Sequence, residues 1–309
     1  MDFENIIKEN DKIIKNNNIN IDSIFIEKDE KIYKKFYKNE ELHELRSCSK
    51  LLISMAIGIA IDKKMKINEK IIDVNTKIYP VIKDIIKIEK EENLNKIKKW
   101  TIKNLLTHTT GYEKQMMSTK DIKEINKKDL INYVLNYNIP YEVGKRFAYN
   151  NAEPFILSVF FQEAFKMNLV DFIKENIFDK IGVKEFKWEN YDKYCPGATG
   201  LYLKHSDFHK IGKLLLENGK YNNKQIISEE WINEIMKMQI EIPELVKKDR
   251  VFQKIGIGYY TFISNDGYVF RDGSNGQYII INRAKKLLIT IMSTEKEMKK
   301  ITDIFRGII

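Results

Sequence analysis

The chain has 309 residues, of which 43% are apolar and 31% are charged, an ordinary balance for a globular protein. Its formal net charge of +9 comes mostly from lysines spread along the whole chain, so it indicates no nucleic-acid patch. Two cysteines exclude a disulfide framework. The N-terminus lacks the apolar segment of a secretion signal, and the longest apolar run, within residues 51–61, is too short for a bilayer span, so we expect a cytoplasmic protein without membrane contact.

The first part of the chain predicts a β-hairpin followed by a buried helix. Residues 23–27 and 31–37 are rich in β-branched and aromatic side chains and flank a turn-like Lys-Asp-Glu segment, which is typical of a hairpin. Residues 47–62 (SCSKLLISMAIGIAID) are apolar at nearly every position, which predicts a helix buried on all sides. Ser47 stands at the start of this helix, where serine is a favoured cap.

The rest of the chain divides into a helical stretch and a run of strands. Helical spacing of apolar residues predicts helices at residues 102–108, 128–137, 153–165 and 207–218. Successive antiparallel strands are predicted at residues 255–264, 268–271, 277–281 and 286–292, and a closing helix at residues 295–306. Because strands lie near both termini, the two ends of the chain are expected to share one sheet.

These elements predict an α+β fold in a single domain of residues 1–309. One lobe, of about residues 1–63 and 248–309, would contain an antiparallel sheet built from both termini and flanked by helices. Residues 64–247 would form a large, mostly helical lobe inserted between these two parts. We find no internal repeat and no low-complexity linker.

Ser47 and Lys50 form the first group of residues that could perform chemistry. Positions three apart lie on one face of a helix, so the amine of Lys50 can reach the hydroxyl of Ser47. Burial in the apolar helix would lower the pKa of Lys50, and a neutral amine can remove the proton from serine and activate it as a nucleophile. The pair alone is a weak signal, because chance produces this spacing often, and by itself it favours a capping serine and a lysine whose amine reaches solvent.

Two further segments carry candidate site residues. Residues 142–151 (EVGKRFAYNN) lead from a turn into a helix and contain Tyr149, whose phenolate form a nearby cation would favour, and Asn151, whose amide can hold both Lys50 and a substrate carbonyl. Residues 270–277 (FRDGSNGQ) put a basic residue and a glycine at a strand edge, where a substrate backbone could approach closely. Each segment alone is also explained by ordinary packing or by a turn.

Together, in this order and at these separations, the three segments resemble the Ser-x-x-Lys, Tyr-x-Asn and Lys-Thr-Gly motifs of the serine β-lactamase and penicillin-binding-protein superfamily. Residues 105–112 (LLTHTTGY) are similar to a segment of class C β-lactamases and related esterases, and residues 197–216 and 221–231 to a glycine-rich turn, helix and hairpin of the family. Residues 276–278 (GQY) resemble the family VIII esterase and 6-aminohexanoate-oligomer hydrolase branch. The resemblance covers roughly residues 20–300.

The resemblance implies a role for each matching residue. Ser47 would be the nucleophile, Lys50 its general base, and Tyr149 the relay that passes the proton to the leaving group. Asn151 would orient both the substrate and the lysine. The family forms an acyl-enzyme on serine and hydrolyses it without a metal or an organic cofactor.

The third motif departs from the family pattern. Arg271 stands where the family usually has lysine or histidine, and it could bind a substrate carboxylate, while Gly273 matches the motif glycine. The backbone N–H of Ser274 would be the second donor of the oxyanion hole, beside that of Ser47. Asp272 could neutralise part of the arginine's charge, which weakens the case for β-lactam recognition.

The sequence therefore predicts a serine hydrolase acting on a small-molecule ester, amide or β-lactam-like substrate, an esterase or amidase above all. A β-lactamase or D,D-peptidase is the enzymatic alternative, and a binding protein that has lost turnover is the alternative outside catalysis. Cys48 is interpreted as a small buried side chain, and His108 as a structural histidine that holds a turn.

Overall fold

Strands from both ends of the chain pair in one antiparallel sheet of eight strands. The computed structural model describes residues 3–243 and 253–305. The strands in these residues are β1 (Ile21–Lys28), β2 (Lys31–Phe36), β3 (His43–Glu44), β4 (Lys66–Ile67), β5 (Lys70–Ile71), β6 (Lys187–Trp188), β7 (Leu201–Leu203), β8 (Lys220–Tyr221), β9 (Lys224–Gln225), β10 (Ile240–Glu241), β11 (Lys254–Ile257), β12 (Phe262–Ser264), β13 (Val269–Gly273), β14 (Gln277–Asn282) and β15 (Leu287–Ser293).

The eight strands lie in the order β10-β11-β12-β13-β14-β15-β1-β2. The N-terminal strand β1 pairs with the C-terminal strand β15, with Ile24 opposite Ile291, and β2 closes the edge as the second strand of the predicted hairpin. All residues of β14 and β15 are buried, as expected for central strands covered on both faces. The predicted sheet built from both termini is confirmed.

Most of the helices lie between the N-terminal and C-terminal strands. They are α1 (Phe3–Asn16), α2 (Lys50–Asp62), α3 (Tyr79–Ile82), α4 (Glu91–Ile97), α5 (Ile102–Leu106), α6 (Thr119–Glu124), α7 (Leu130–Asn136), α8 (Ala152–Phe165), α9 (Leu169–Ile173), α10 (Asp179–Ile181), α11 (His205–Leu216), α12 (Glu229–Met236) and α13 (Met298–Phe305). A π-helical segment, Lys174–Phe178, joins α9 to α10, and 3₁₀ turns occupy Arg46–Ser49 and Lys83–Ile85.

The sheet separates two apolar layers because successive side chains of a strand point to opposite faces. Ile280 and Ile289 join one cluster, which Ile304 of α13 completes together with residues of α1. Their neighbours Ile279 and Leu288 belong to the other cluster, which contains α2, α8 and α11. The eight-stranded sheet therefore has helices on both faces.

Helix α2 runs through the middle of the second layer, where it packs against α8, α9 and α12. All its residues from Lys50 to Ala60 are buried, which confirms the prediction from its unbroken apolar character. Gly58 makes room for the indole of Trp231, since a Cβ atom there would lie 2.1 Å from the ring. The indole N–H donates a hydrogen bond of 3.0 Å to the carbonyl of Ser54 and fixes α12 on α2.

Two predicted elements differ from the observed ones, and the N-terminal helix was not predicted. The sequence pattern did not predict α1, whose apolar positions join the C-terminal helix under the sheet. The predicted strand 255–264 is wrong, because the N–H of Gly258 bonds the carbonyl of Thr261 across a tight turn that separates β11 from β12. The closing helix begins at Met298, later than predicted, and Arg306 at its predicted end lies outside the described residues.

The predicted lobe boundaries cut through elements of the sheet layer. Helix α11 lies within residues 64–247 but packs on β14 and β15, and β10 pairs with β11 at the edge of the sheet. The division into two lobes with these boundaries therefore stays a prediction. Within residues 3–243 and 253–305, none of the helices has both the length and the apolar character needed to cross a membrane.

A chain of buried polar groups links α11 to the strands beneath it. Ser23 Oγ contacts Nδ1 of His205, whose Nε2 lies 2.8 Å from Thr290 Oγ1. The same threonine oxygen lies 2.8 Å from Nδ1 of His209, and Nε2 of that histidine lies 3.1 Å from the carboxylate of Glu27. Burial lowers the pKa of His205 and of His209, so both imidazoles are neutral at pH 7.

This pair of histidines predicts acid sensitivity of the fold. Below the unfolded-state pKa of about 6.5 the unfolded chain takes up protons more readily than the folded protein, so stability is lost as pH falls from about 7 to 5.5, by at most about 1 kcal/mol for each of the two histidines. Urea denaturation at several pH values measures this loss. The double variant His205→Gln/His209→Gln should show a shallower pH dependence, and an unchanged one would contradict the prediction.

Candidate active site

Ser47 lies in the 3₁₀ turn Arg46–Ser49, which continues directly into α2. Arg46 has a φ of 50°, a left-handed conformation that is uncommon for residues other than glycine. The prediction that Ser47 begins the helix as its cap is wrong, because α2 begins at Lys50 and the Ser47 hydroxyl bonds side chains instead of backbone N–H groups. The turn places this hydroxyl in the wall of a cavity.

Lys50 is completely buried, and its amine lies among neutral oxygen atoms. Its Nζ is 3.0 Å from Ser47 Oγ, 2.8 Å from Asn151 Oδ1 and 3.5 Å from the carbonyl oxygen of Ala198. Burial, followed by the positive charge of Arg271, holds the pKa of Lys50 well below its usual value of 10.5. A neutral amine at this position can accept the serine proton, which is the chemistry predicted from the sequence.

Asn151 connects α8 to this amine. It stands immediately before α8, and its side-chain oxygen accepts from Lys50 while its Nδ2 donates to the carbonyl of Met117 at 3.3 Å. The backbone at the start of α8 is bonded by the neighbouring Asn150 instead, whose side-chain oxygen accepts hydrogen bonds from the N–H groups of Ala152 and Met116. The amide of Asn151 is therefore held by contacts on both sides.

Tyr149 donates a hydrogen bond of 2.8 Å from its phenol to Ser47 Oγ. Burial raises the pKa of this phenol, although the nearby guanidinium of Arg271 and the bond to Ser47 act in the opposite direction. The expected cation is present, but desolvation outweighs it, so the resting group is a neutral phenol. A neutral phenol beside a neutral amine can pass on a proton as it accepts one.

Arg271 lies on β13 with only 1% of its surface exposed. Its guanidinium donates from Nη2 to the Tyr149 phenol oxygen at 2.7 Å, from Nε to the Ser47 carbonyl at 2.9 Å and from Nη1 to the Tyr260 carbonyl at 3.3 Å. It lies 5.4 Å from the ring centre of Tyr149 and 5.3 Å from that of Phe262. The expected contact with a substrate carboxylate is thus less favoured by this geometry than a role in positioning Tyr149.

The two residues after Arg271 line the cavity, whereas Arg271 itself does not. Asp272 lines the cavity, because alternate residues of β13 point to opposite faces. Gly273 allows β13 to approach the turn before α2, since a Cβ atom there would lie 2.7 Å from the carbonyl oxygen of Leu45. Ser274, the proposed backbone donor, follows directly and lines the same cavity as Ser47.

The cavity beside Ser47 has a volume of about 690 Å³, within the range of about 300–1,000 Å³ of small-molecule sites. Tyr149, Asn151 and Ser274 line it together with Ser47, whereas Lys50 and Arg271 stand behind this wall. Much of the remaining surface is apolar and comes from Met117, Ile122, Phe147, Ile242, Phe262 and Met298. The cavity can therefore hold an organic substrate with its reacting group at Ser47.

Sequence reasoning missed a buried acid close to the site. Glu153 contacts Nδ1 of His108 and accepts a hydrogen bond of 2.6 Å from Thr110. Burial raises the pKa of Glu153 and lowers that of His108, so both directions favour a neutral pair. The His108 ring lies 5.0 Å from that of Tyr149, so this pair packs directly beside the candidate site. A single acid in the buried first turns of α8 was the signal available in the sequence.

Cys48, next to the nucleophile, is fully buried. Its thiol points to the carbonyl oxygens of Arg271 and Gln277, at 3.6 and 3.7 Å, and burial raises its pKa. A protonated thiol turned away from the cavity is a poor nucleophile. This agrees with the interpretation of Cys48 as a packing residue.

The sequence model of the protein family described as Beta-lactamase matches residues 24–304 of this chain. The chain belongs to this family. Its members are serine hydrolases of the β-lactamase and penicillin-binding-protein superfamily, so the resemblance found in the three sequence motifs is confirmed. The α+β fold with an antiparallel sheet and flanking helices is confirmed as well. A search of curated proteins finds no match.

Solved structures share the fold of this family member at low sequence identity. An octameric penicillin-binding protein homologue from Pyrococcus abyssi aligns with a TM-score of 0.78 and 16% identity, over 99% of this chain and 76% of its own. A candidate 6-aminohexanoate-dimer hydrolase from Bacillus anthracis aligns at 0.70 and 20%, over 96% and 79%. EstCE1, a hydrolase with promiscuous acyltransferase activity, aligns at 0.78 and 10%, over 99% and 98%.

The neutral state of Lys50 can be tested by replacing it with arginine. A guanidinium stays protonated up to pH values above about 12, so Lys50→Arg cannot accept the serine proton and should lower the rate of acylation by about 10²–10⁴-fold. Stopped-flow or intact-mass measurement of acylation gives this rate. Thermal unfolding controls for folding, and a variant that is folded and nearly as fast as the wild type would contradict the role of Lys50.

The position of Arg271 predicts a shift in the pH profile of any activity at Ser47. Its positive charge helps to lower the pKa of Lys50, so Arg271→Met should raise that pKa and move the acid limb of kcat/KM to higher pH. Arg271→Lys keeps the charge and should leave the limb closer to that of the wild type. Equal shifts in the two variants would indicate that packing, and not charge, is what Arg271 provides.

Proposed function

We propose that the protein is a serine hydrolase that cleaves a small ester or amide through an acyl-enzyme on Ser47. The observation that carries this proposal is the contact of one hydroxyl with two proton-transfer groups, the amine of Lys50 at 3.0 Å and the phenol of Tyr149 at 2.8 Å. A capping serine with a solvated lysine needs neither contact. The buried amine is also the group whose pKa is lowered in the direction that general-base catalysis requires.

The proposed acylation step forms a bond from Ser47 Oγ to the substrate carbonyl carbon and breaks the bond from that carbon to the leaving group. Its net proton transfer is from the serine to the leaving group. Lys50 takes the proton of Ser47 as Oγ attacks the carbonyl carbon, and the N–H groups of Ser47 and Ser274 stabilise the oxyanion. Tyr149 gives its proton to the leaving alcohol or amine and regains one from Lys50, so the leaving group departs neutral as the tetrahedral intermediate collapses. Asn151 holds Lys50 in place throughout this step.

Deacylation repeats the same exchange with water as the nucleophile. Lys50 and Tyr149 are again the available proton carriers, water attacks the ester carbonyl on Ser47, and Oγ recovers its proton as the acid is released. The proposal needs no metal or organic cofactor for either step. A cytoplasmic location and a place in the class C and family VIII branch belong to the proposal as well.

The third motif and two of the fold neighbours support an esterase or amidase above the alternatives. The neighbour EstCE1 is described as a hydrolase with promiscuous acyltransferase activity, and another neighbour as a candidate 6-aminohexanoate-dimer hydrolase. The third motif carries Asp272 in place of threonine, which makes β-lactam recognition less favourable. We expect slow hydrolysis of nitrocefin, or none.

The nucleophile can be tested by covalent labelling. A fluorophosphonate or an activated short-chain ester should add one phosphonyl or acyl group, seen by intact-mass spectrometry, and Ser47→Ala should abolish both this adduct and ester turnover. Cys48→Ala is the matched control, because its buried thiol lies beside Ser47 and should not be needed for labelling. Labelling that survives in Ser47→Ala would refute the assignment, and a wild type that gains no mass would favour a binding protein.

A further inference from the structure

The charged groups in the cavity wall define what kind of substrate can approach Ser47. Asp272 and Lys254, on the strands β13 and β11, both line the cavity. The Lys254 ammonium lies 3.0 and 3.3 Å from the two carboxylate oxygens of Asp272. It also lies 3.5 Å from the ring centre of Phe262, so an aromatic face and a carboxylate hold it against the wall.

A second cation in the wall is paired in the same way. Nη1 of Arg46 lies 2.9 Å from a carboxylate oxygen of Glu44. The other oxygen of Glu44 accepts from the hydroxyl of Thr199 at 2.6 Å and from the N–H of Gly200 at 3.1 Å, which fixes the carboxylate. In the described part of the chain, both cations that line the cavity therefore have a carboxylate partner within salt-bridge distance.

Arg271 does not offer a positive charge to a substrate in the cavity either. Three of its N–H groups bond the Tyr149 phenol and two backbone carbonyls, and the side chain is buried behind the cavity wall. The strand residue that does face the cavity beside Gly273 and Ser274 is the acid Asp272. A substrate group that lies along this strand thus meets a carboxylate and not a guanidinium.

These contacts have a direct consequence for a substrate that carries its own carboxylate. Such a group would lose its hydration on entering the apolar cavity, and paired cations offer little to replace it. Asp272 itself has no hydrogen-bond donor for such a group, and its negative charge offsets the attraction of Lys254. An uncharged substrate has no such cost, and its apolar part can pack on Phe147 and Phe262.

We infer that the cavity selects ester or amide substrates that are uncharged next to the scissile bond, and that Asp272 is the specificity-determining residue that rejects a carboxylate there. This inference rests on the proposed hydrolase function and adds the substrate class to it. Asp272 acts on the charge of the substrate, whereas Ser47, Lys50 and Tyr149 act on its carbonyl group.

The test compares neutral and anionic esters of matched shape. p-Nitrophenyl valerate and mono-p-nitrophenyl glutarate differ at the end of the acyl chain, and 4-(methoxycarbonyl)phenyl butyrate and 4-carboxyphenyl butyrate differ in the alcohol. The readout is the ratio of kcat/KM for the neutral ester to that for the anionic ester. Comparing this ratio between variants cancels the intrinsic reactivity of each ester.

The wild type should prefer the neutral ester by about tenfold or more in at least one pair, and Asp272→Asn should reduce that ratio by about fivefold or more. Lys254→Met leaves Asp272 without its lysine partner and should raise the ratio. Asp266→Asn is the matched control, because it makes the same change at an exposed position in the turn between β12 and β13 and should leave the ratio unchanged.

Either of two results would overturn the inference. One is a wild type that hydrolyses the anionic ester as well as the neutral one in both pairs. The other is a ratio that changes in neither Asp272→Asn nor Lys254→Met, with folding of both variants checked by thermal unfolding. The two variants change the wall charge in opposite directions, so the failure of one to fold leaves the other as the test.

Boronic acids separate this inference from the proposed function, because they form tetrahedral adducts with an activated serine without turnover. Calorimetry would compare phenylboronic acid with 3-carboxyphenylboronic acid. If the uncharged compound binds more tightly and this preference is smaller in Asp272→Asn, the charge selection is supported even when no ester is hydrolysed. In that case only the proposed hydrolase function fails. If neither compound binds and no ester is cleaved, both proposals fall.

Discussion

The structure depends on the burial of one amine, that of Lys50, among oxygen atoms that carry no charge. An ammonium in that position would lose its hydration, and Ser47, Asn151 and the Ala198 carbonyl cannot replace it with a negative charge. The amine is therefore neutral, as the lowered pKa indicates. A neutral amine at this distance can accept the serine proton, which an ammonium cannot.

The rest of the fold maintains this dry environment. Helix α2 is buried from Lys50 to Ala60, and the pKa shifts of Glu153 and His108 favour a neutral pair, so the charge that acts most strongly on the amine is that of Arg271. The arginine is held by two carbonyls, a phenol and two aromatic faces. Because a guanidinium keeps its proton when it is buried, it disfavours a second positive charge on Lys50.

One contact of the candidate site, between Ser47 and Lys50, could be predicted from spacing alone. Ser47 and Lys50 are three residues apart in an apolar helical segment, which brings their side chains together whatever the rest of the chain does. Arg271 illustrates the limit of this reasoning. The residue type suggested a ligand for a carboxylate, but the tight turn at Gly258–Thr261 brings the Tyr260 carbonyl to its guanidinium, and the sequence pattern placed a continuous strand across that turn.

By itself the sequence predicted the sheet shared by both termini and the pairing of Ser47 with Lys50, because local periodicity and motif spacing reflect short-range geometry. Tyr149, Asn151 and Arg271 were expected at Ser47 only because three motifs together resemble those of a known family. Only the tertiary structure decided which groups face the substrate and which are buried behind them. Arg271 and Asp272 are adjacent in the chain, yet strand alternation turns one inward and the other into the cavity. Their partners, Tyr149 and Lys254, come from distant segments, and pairing between distant segments follows from packing, which no single stretch of sequence specifies.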